Sequence, residues 1–280
     1  MRLYLCGVRG STPSPGAEFL RYGGHTSCVA IAHDDEQVPS LILDAGTGVR
    51  SVTALMGGHP FTGTILLTHL HWDHVQGLPF FSAGDQEGAQ VSLLLPEQED
   101  GSQALEMLSR AMSPPHFPMG PDGLRGSWSF GSIAPGRSTH QGFEVLTAEV
   151  PHKGGRTFGY RISDDHASIA YIPDHCPTAL GPGLDGYGEL HPAVLELAAE
   201  ADLLVHDAQL LSEHELAAEG RFGHAAADYA VELGAEAGVK TVALFHHRPD
   251  RTDHALDELA TRYPAPPNVI VAAQDQVLKL

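Results

Sequence analysis

Short apolar runs, broken by glycine, proline and acidic turns, set the rhythm of this chain, and most of them are too short to be anything but strands. Alternation and β-branched content predict strands near residues 2 to 8, 27 to 32, 40 to 44, 63 to 67 and 91 to 95. Later strands are predicted near residues 143 to 150, 157 to 163, 168 to 173, 203 to 206, 240 to 245 and 268 to 272. Apolar residues at helical spacing predict helices at about 102 to 112, 192 to 201, 208 to 219, 224 to 238 and 253 to 262. This order fits an αββα sandwich of the α/β class, with two β-sheets packed face to face and helices outside. No repeat, low-complexity tract or linker divides the chain, so residues 1 to 280 are expected to form a single domain. The one long irregular segment runs from Ser113 to Gly126 and is rich in proline and glycine. It reads equally as a lid contributing His116, Phe117 or Met119 to a site and as a surface cover.

Composition narrows the class. No apolar run approaches the roughly 20 residues that cross a bilayer, and Met1 to Gly7 reads as a core strand rather than a leader because Arg9 interrupts it. Cys6, Cys28 and Cys176 are widely spaced, which implies no disulfide framework and favours a reducing, cytoplasmic setting. Sixteen Lys and Arg against 35 Asp and Glu give a formal net charge of −19. Such a surface repels polyanions, whose binding depends on cations that release condensed counterions, so long nucleic acids are disfavoured as partners. A small anion remains compatible where local cations dominate; Arg9, Lys153, Arg156 and Arg248 are the candidates, with Lys153 and Arg156 favoured over Arg248.

The chemistry is concentrated in His69-Leu70-His71-Trp72-Asp73-His74, which follows the apolar run Thr64 to Leu67. In an extended segment alternate side chains share a side, so His69, His71 and Asp73 converge, and a turn after Asp73 brings in His74. Burying four ionisable groups without a metal would leave them unpaired. The nitrogen and oxygen donors suit zinc, manganese or ferrous iron, two donors serving each of two ions.

With Thr68 before it and Gly77-Leu78-Pro79-Phe80-Phe81 after it, this motif resembles that of the metallo-β-lactamase-fold hydrolases. The resemblance implies an αββα sandwich of two mixed sheets and three more ligands, each on the loop after a strand. Val150-Pro151-His152 offers His152 as the third imidazole of the first metal. The run Ser168 to Asp174 offers Asp174 as the carboxylate shared by both ions, and Thr241 to His246 offers His246 as the last ligand of the second, with adjacent His247 as the alternative. The metal set implied is therefore His69, His71, Asp73, His74, His152, Asp174 and His246, holding two divalent ions, zinc or manganese before iron.

A narrower resemblance lies in Val205-His206-Asp207-Ala208 and Gly223-His224-Ala225-Ala226, similar to the phosphodiesterase branch that holds ribonuclease Z and the phosphoribosyl cyclic phosphodiesterases. The turn Gly7-Val8-Arg9-Gly10-Ser11-Thr12-Pro13 is similar to that branch's opening, so the likeness spans residues 3 to 275. In that branch a histidine after glycine assists the leaving group and an acidic residue orients it; His224 and Asp207 occupy those places, although glutamate is commoner in the latter. His224 is expected to begin a helix whose dipole favours an anion, and Asp73 to orient the nucleophile or take its proton. The reaction expected is metal-dependent hydrolysis of a small, even cyclic, phosphodiester. A transfer-RNA 3′-end endonuclease would share the ligands, but its long arm between the positions of His152 and Asp174 has no room here, where 21 residues separate them. A thioesterase or lactonase typically lacks the Gly-His signature, and a non-enzymatic metal-binding module would be expected to lose ligands. A homodimer is expected by family analogy alone. Of the remaining histidines, His25 is expected to approach the cleft on its glycine turn, and His206 to orient a ligand from behind.

Overall fold

The computed structural model describes residues 1 to 280. The first of its two seven-stranded sheets runs β1 (Arg2–Gly7), β2 (Cys28–Ala32), β3 (Leu41–Leu43), β4 (Thr62–Leu66), β5 (Gln90–Pro96) and β6 (Ser127–Ile133), with the last strand, β14 (Val277–Lys279), outside β1. The second runs in chain order through β7 (Gly136–His140), β8 (Phe143–Glu149), β9 (Phe158–Ser163), β10 (Ser168–Ile172), β11 (Leu203–Asp207), β12 (Thr241–Phe245) and β13 (Asn268–Val271). Both are mixed: β3 to β6 pair in parallel beside antiparallel β1 and β2, and β10 to β13 pair in parallel beside antiparallel β7 to β9. The helices are α1 (Val49–Leu55), α2 (Trp72–Val75), α3 (Ala104–Ser109), α4 (Pro192–Ala198), α5 (Glu213–Glu219), α6 (Ala227–Glu236) and α7 (Asp253–Ala260).

The two-residue period of the strands sorts their side chains into layers. Leu3, Leu5, Ile169, Tyr171, Leu203, Val205, Ala243 and Phe245 point between the sheets, into a core shared with Leu43, Leu66 and Tyr160. Their neighbours Ala170, Ile172, Leu204, Val242 and Leu244 point outwards beneath α4, α6 and α7. On the other sheet Ile42, Ile65, Val91 and Leu93 point towards α1 and α3. Strands buried on both faces read as continuous apolar runs, which is why β2, β10 and β11 were plain in the sequence. The outcome is the expected αββα sandwich.

Several elements differ from expectation. Strands β6, β7 and β14 were not predicted: β6 and β7 carry Ser-Trp-Ser-Phe-Gly-Ser-Ile and Gly-Arg-Ser-Thr-His, and all three lie at sheet edges with largely accessible side chains. An edge strand needs only half the apolar content of a central one, so its pattern is weak. The helix expected from residue 208 begins at Glu213, where the Ser212 hydroxyl accepts from the Glu215 amide. The helix expected from residue 224 begins at Ala227, because Ala226 is extended and residues Leu210 and Ala226 form a β-bridge. His224 therefore lies in the loop before α6, not at its start. Asp73 sits with His74 on the short helix α2 rather than on the extended segment, which ends at His71.

Candidate metal centre and its cleft

Most of the site residues leave from strand ends on one edge of the sandwich, the exceptions being Asp73 and His74 on α2 and His224 in the loop before α6. Asp44 follows β3, His69 follows β4, His152 follows β8, Asp174 follows β10, Asp207 ends β11 and His246 follows β12. Two of these strands end in left-handed backbone at non-glycine residues, Asp44 and His246, each with φ 59°. Such a conformation is costly for a side-chain-bearing residue and persists where the surrounding packing imposes it.

The chain brings His69, His71, Asp73, His74, His152, Asp174, His224 and His246 together. Potential donor atoms converge as His69, His71 and His152, as His69, His74 and Asp174, and as Asp73, His74 and His246. Asp174 lies between these groups: its Oδ2 is 2.8 Å from His74 Nε2 and 3.3 Å from His246 Nε2, while its Oδ1 is 3.5 Å from both His152 Nε2 and His224 Nδ1. Asp73 Oδ2 lies 3.1 Å from His246 Nε2 and accepts the Ser11 amide at 2.6 Å. Gly10 is required beside this group, since a Cβ there would fall 2.3 Å from the His246 ring.

Three of the imidazoles are oriented by their outer nitrogens, whereas His246 Nδ1 is buried without a partner. His74 Nδ1 donates to Asp44 Oδ2 at 2.8 Å, and His152 Nδ1 donates to the Gly223 carbonyl at 2.7 Å. His69 Nδ1 lies 3.0 Å from Thr68 Oγ1, whose own proton goes to Asp44. These partners leave the Nε2 lone pairs of His69, His74 and His152 facing the interior. His69 Nε2, His74 Nε2 and Asp174 Oδ2 are buried without a hydrogen-bond partner, the arrangement a metal-binding cage requires. The donor set of imidazoles and carboxylates, with no thiolate, fits a borderline or hard divalent cation.

Electrostatics follow the same geometry. Burial opposes ionisation of Asp174, yet His246, His74 and His152 outweigh it and hold the carboxyl well below its usual range. Asp73 behaves likewise against His74 and His246. Burial and the neighbouring imidazoles push His69 well down, keeping it in the neutral form that ligates. His74, although burial pulls the other way, is raised by Asp73, Asp174 and Asp44.

His224 stands at the edge of this cluster. Its Nδ1 is 3.1 Å from Asp207 Oδ2, and Asp207 also accepts the amides of His175, Gln209 and Ala225. Burial works against its protonation, but Asp207 and then Asp174 and Asp73 prevail and raise it to about 9. It opens onto a cleft of about 650 Å³ lined by Ser11, His71, Asp73, Asp174, Gln209 and Arg248 among others.

Of the remaining sequence candidates, His247, His25, His206, Arg156 and Arg9 fall outside the cleft. His247 Nε2 donates to the Ala272 carbonyl at 2.8 Å and turns away from the cluster that His246 faces. His25 bonds Thr47, and His206 lies behind the site against His175 and the Asp207 carbonyl. Among the cations Arg248 lines the cleft, against expectation, and it is paired with Glu219 and Asp250. Arg156 is turned to Glu149, and Arg9 is wholly buried, donating to the carbonyls of Gly23, Arg248 and Arg251. Asp44 was missed altogether. It accepts from Thr68, His74 and the Tyr171 hydroxyl, and its only trace in the sequence is a carboxylate and glycine turn closing the run Leu41-Ile42-Leu43-Asp44-Ala45-Gly46.

Comparison with known proteins agrees with this architecture. Residues 41 to 247 match the family model described as a beta-lactamase superfamily domain. The chain is 23% identical over 287 aligned positions to a ribonuclease Z of Haloarcula marismortui, covering 88% of this chain and 86% of that one. Among solved structures it is similar to the metallo-beta-lactamase fold protein YhfI of Bacillus subtilis, with TM-score 0.71, 16% identity and 99% of each chain covered. It is also similar to a diphosphatase from the PhnP family, with TM-score 0.69, 18% identity, and 100% of this chain and 97% of the other covered.

Proposed function

The chain belongs to the β-lactamase superfamily and is a metal-dependent hydrolase, and from that premise we propose that it is a dinuclear phosphodiesterase acting on a small, including cyclic, phosphodiester. His69, His71 and His152 would hold one divalent ion and Asp73, His74 and His246 the other, with Asp174 shared between them; zinc or manganese suits this set best. Two such ions, when bound, supply a hydroxide at neutral pH and positive charge for the phosphoryl oxygens.

The observation that carries the choice of reaction is the Asp207–His224 pair beside the cluster. Hydrolysis forms a bond from the attacking oxygen to phosphorus and breaks the ester bond, leaving an alkoxide that needs a proton. His224, hydrogen-bonded through Nδ1 to Asp207, is placed to give that proton from its other nitrogen, and Asp207 stabilises the ring's protonated form. Asp73, anchored by the Ser11 amide, orients the attacking oxygen or takes its proton. Thiolates leave readily without such help, so a thioesterase would have less use for the pair. The relation to ribonuclease Z keeps a transfer-RNA endonuclease as the second reading.

In the metal-loaded protein, His224→Ala should retain both ions by elemental analysis while turnover of an unactivated diester falls about 10²- to 10⁴-fold. Loss of metal in that variant would make His224 a ligand instead. Thioester or lactone hydrolysis far above that of every diester would overturn the phosphodiesterase reading.

A further inference from the structure

The segment that supplies the imidazoles also builds a second wall. Between His69, His71 and Asp73 stand Leu70 and Trp72, and both line two cavities at once: the polar cleft of the cluster and an adjoining apolar cavity of about 670 Å³. Its other walls include Phe80 after α2, Met107 and Met112 on and beyond α3, and Phe117 from the irregular segment that follows. Phe80 and Phe117 meet edge to face with centroids 6.0 Å apart. Trp72 is 75% and Phe80 57% exposed, an unusual state for large aromatics on so acidic a protein. The volume lies within the range of about 300 to 1,000 Å³ typical of small-molecule sites, and the two methionines give its floor an adaptable shape.

We propose that this cavity is a substrate subsite which takes an apolar, preferably aryl, substituent of a phosphoryl ester whose charged group lies at the His/Asp cluster. The argument is one of continuity. A ligand anchored by its anion in the polar cleft meets Leu70 and Trp72 as the shared boundary, and beyond them the wall is mostly apolar, broken by Gln76, Arg110 and His116. The rest of the cleft lining offers Ser11, Gln209 and the Arg248–Glu219 pair, with Phe222 as its single aromatic, and so suits a polar group better than an extended apolar one. Selectivity would then come from the apolar arm, and His116 and Phe117 would act as walls of that subsite rather than as a cover over the cluster. The inference rests on the phosphodiesterase reading only for the nature of the anchoring group.

Calorimetry with two unreactive anions, methyl(2-naphthylmethyl)phosphinate and dimethylphosphinate, whose phosphorus carries no ester bond to cleave, tests it on the metal-loaded protein. The naphthyl compound should bind about 10- to 100-fold more tightly, as expected for burying one aromatic group. Ala111→Trp, an exposed lining position outside the cluster, should fill the cavity and abolish that preference while leaving the methyl compound's affinity unchanged. Phe80→Ser should reduce the preference by a separate route. Equal affinities in the unaltered protein, or a preference that survives both substitutions, would overturn the subsite. So would loss of a dimer in Ala111→Trp with the preference intact, since the cavity would then be covered by a second copy of the chain. If neither phosphinate competes with diester turnover but 2-naphthol binds and Ala111→Trp abolishes that binding, the subsite stands and the phosphodiesterase reading fails.

Discussion

A histidine offers one nitrogen inward only when something holds the other, and Asp44 does this for two imidazoles at once. It accepts directly from His74 and, through the Thr68 hydroxyl, fixes His69. Removing it would free both rings to rotate and leave the Tyr171 hydroxyl buried without its acceptor. Asp44→Ala should therefore weaken metal binding about 10- to 100-fold, the usual effect of losing a group that orients a ligand. A competition titration with a chromophoric chelator measures it, and unchanged affinity would show that Asp44 serves folding alone. The six-residue histidine motif was legible because its spacing has few structural explanations. Asp44 was not, because a lone aspartate before a glycine turn is what most strand ends look like, and its role exists only once β3 and β4 lie side by side.

At the scale of elements the end of β12 decides between two adjacent histidines. The strand alternates Ala243 and Phe245 into the inter-sheet core with Val242 and Leu244 outwards, and the left-handed backbone at His246 then breaks the alternation. His246 is turned to Asp73 and Asp174, while His247 is carried across to the Ala272 carbonyl beside β13. His246→Ala should release metal. His247→Ala should keep the metal but lower stability by about 1–3 kcal/mol, because a buried carbonyl loses its donor. Chemical denaturation followed with metal analysis separates the two effects, and metal loss in both variants would reverse the reading. Central strands were legible because burial on both faces makes them apolar throughout. The edges β6, β7 and β14 were not, nor was the start of α6, where Asp207 and the bridge from Leu210 hold residues 224 to 226 out of the helix. No local pattern encodes a constraint that comes from a strand 17 residues earlier.

On the whole molecule the net charge of −19 bears on which ester reaches the cluster. A transfer RNA must be held over a wide surface by cations that displace its counterions. Here Arg248 is engaged with Glu219 and Asp250, Arg156 with Glu149 and Arg9 with backbone carbonyls, which leaves the exposed Lys153 and Arg221 as the nearby cations without an acidic partner. The 21 residues between His152 and Asp174 are taken up by the turn into β9 and the hairpin of β9 and β10, with no arm projecting from them. A small diester meets none of this repulsion once it is inside the cleft, where bound divalent ions would dominate the field. We therefore expect the metal-loaded protein to hydrolyse cyclic and aryl phosphodiesters and to leave the 3′ extension of a precursor transfer RNA uncut. Its RNA affinity should be weak even at low ionic strength, where polyanion binding is strongest. Parallel assays on the diesters and on a labelled precursor, at low and at physiological salt, decide the matter. Efficient 3′ cleavage at either salt concentration would show that RNA reaches the cluster by a surface the charge distribution does not favour, and would restore the endonuclease reading.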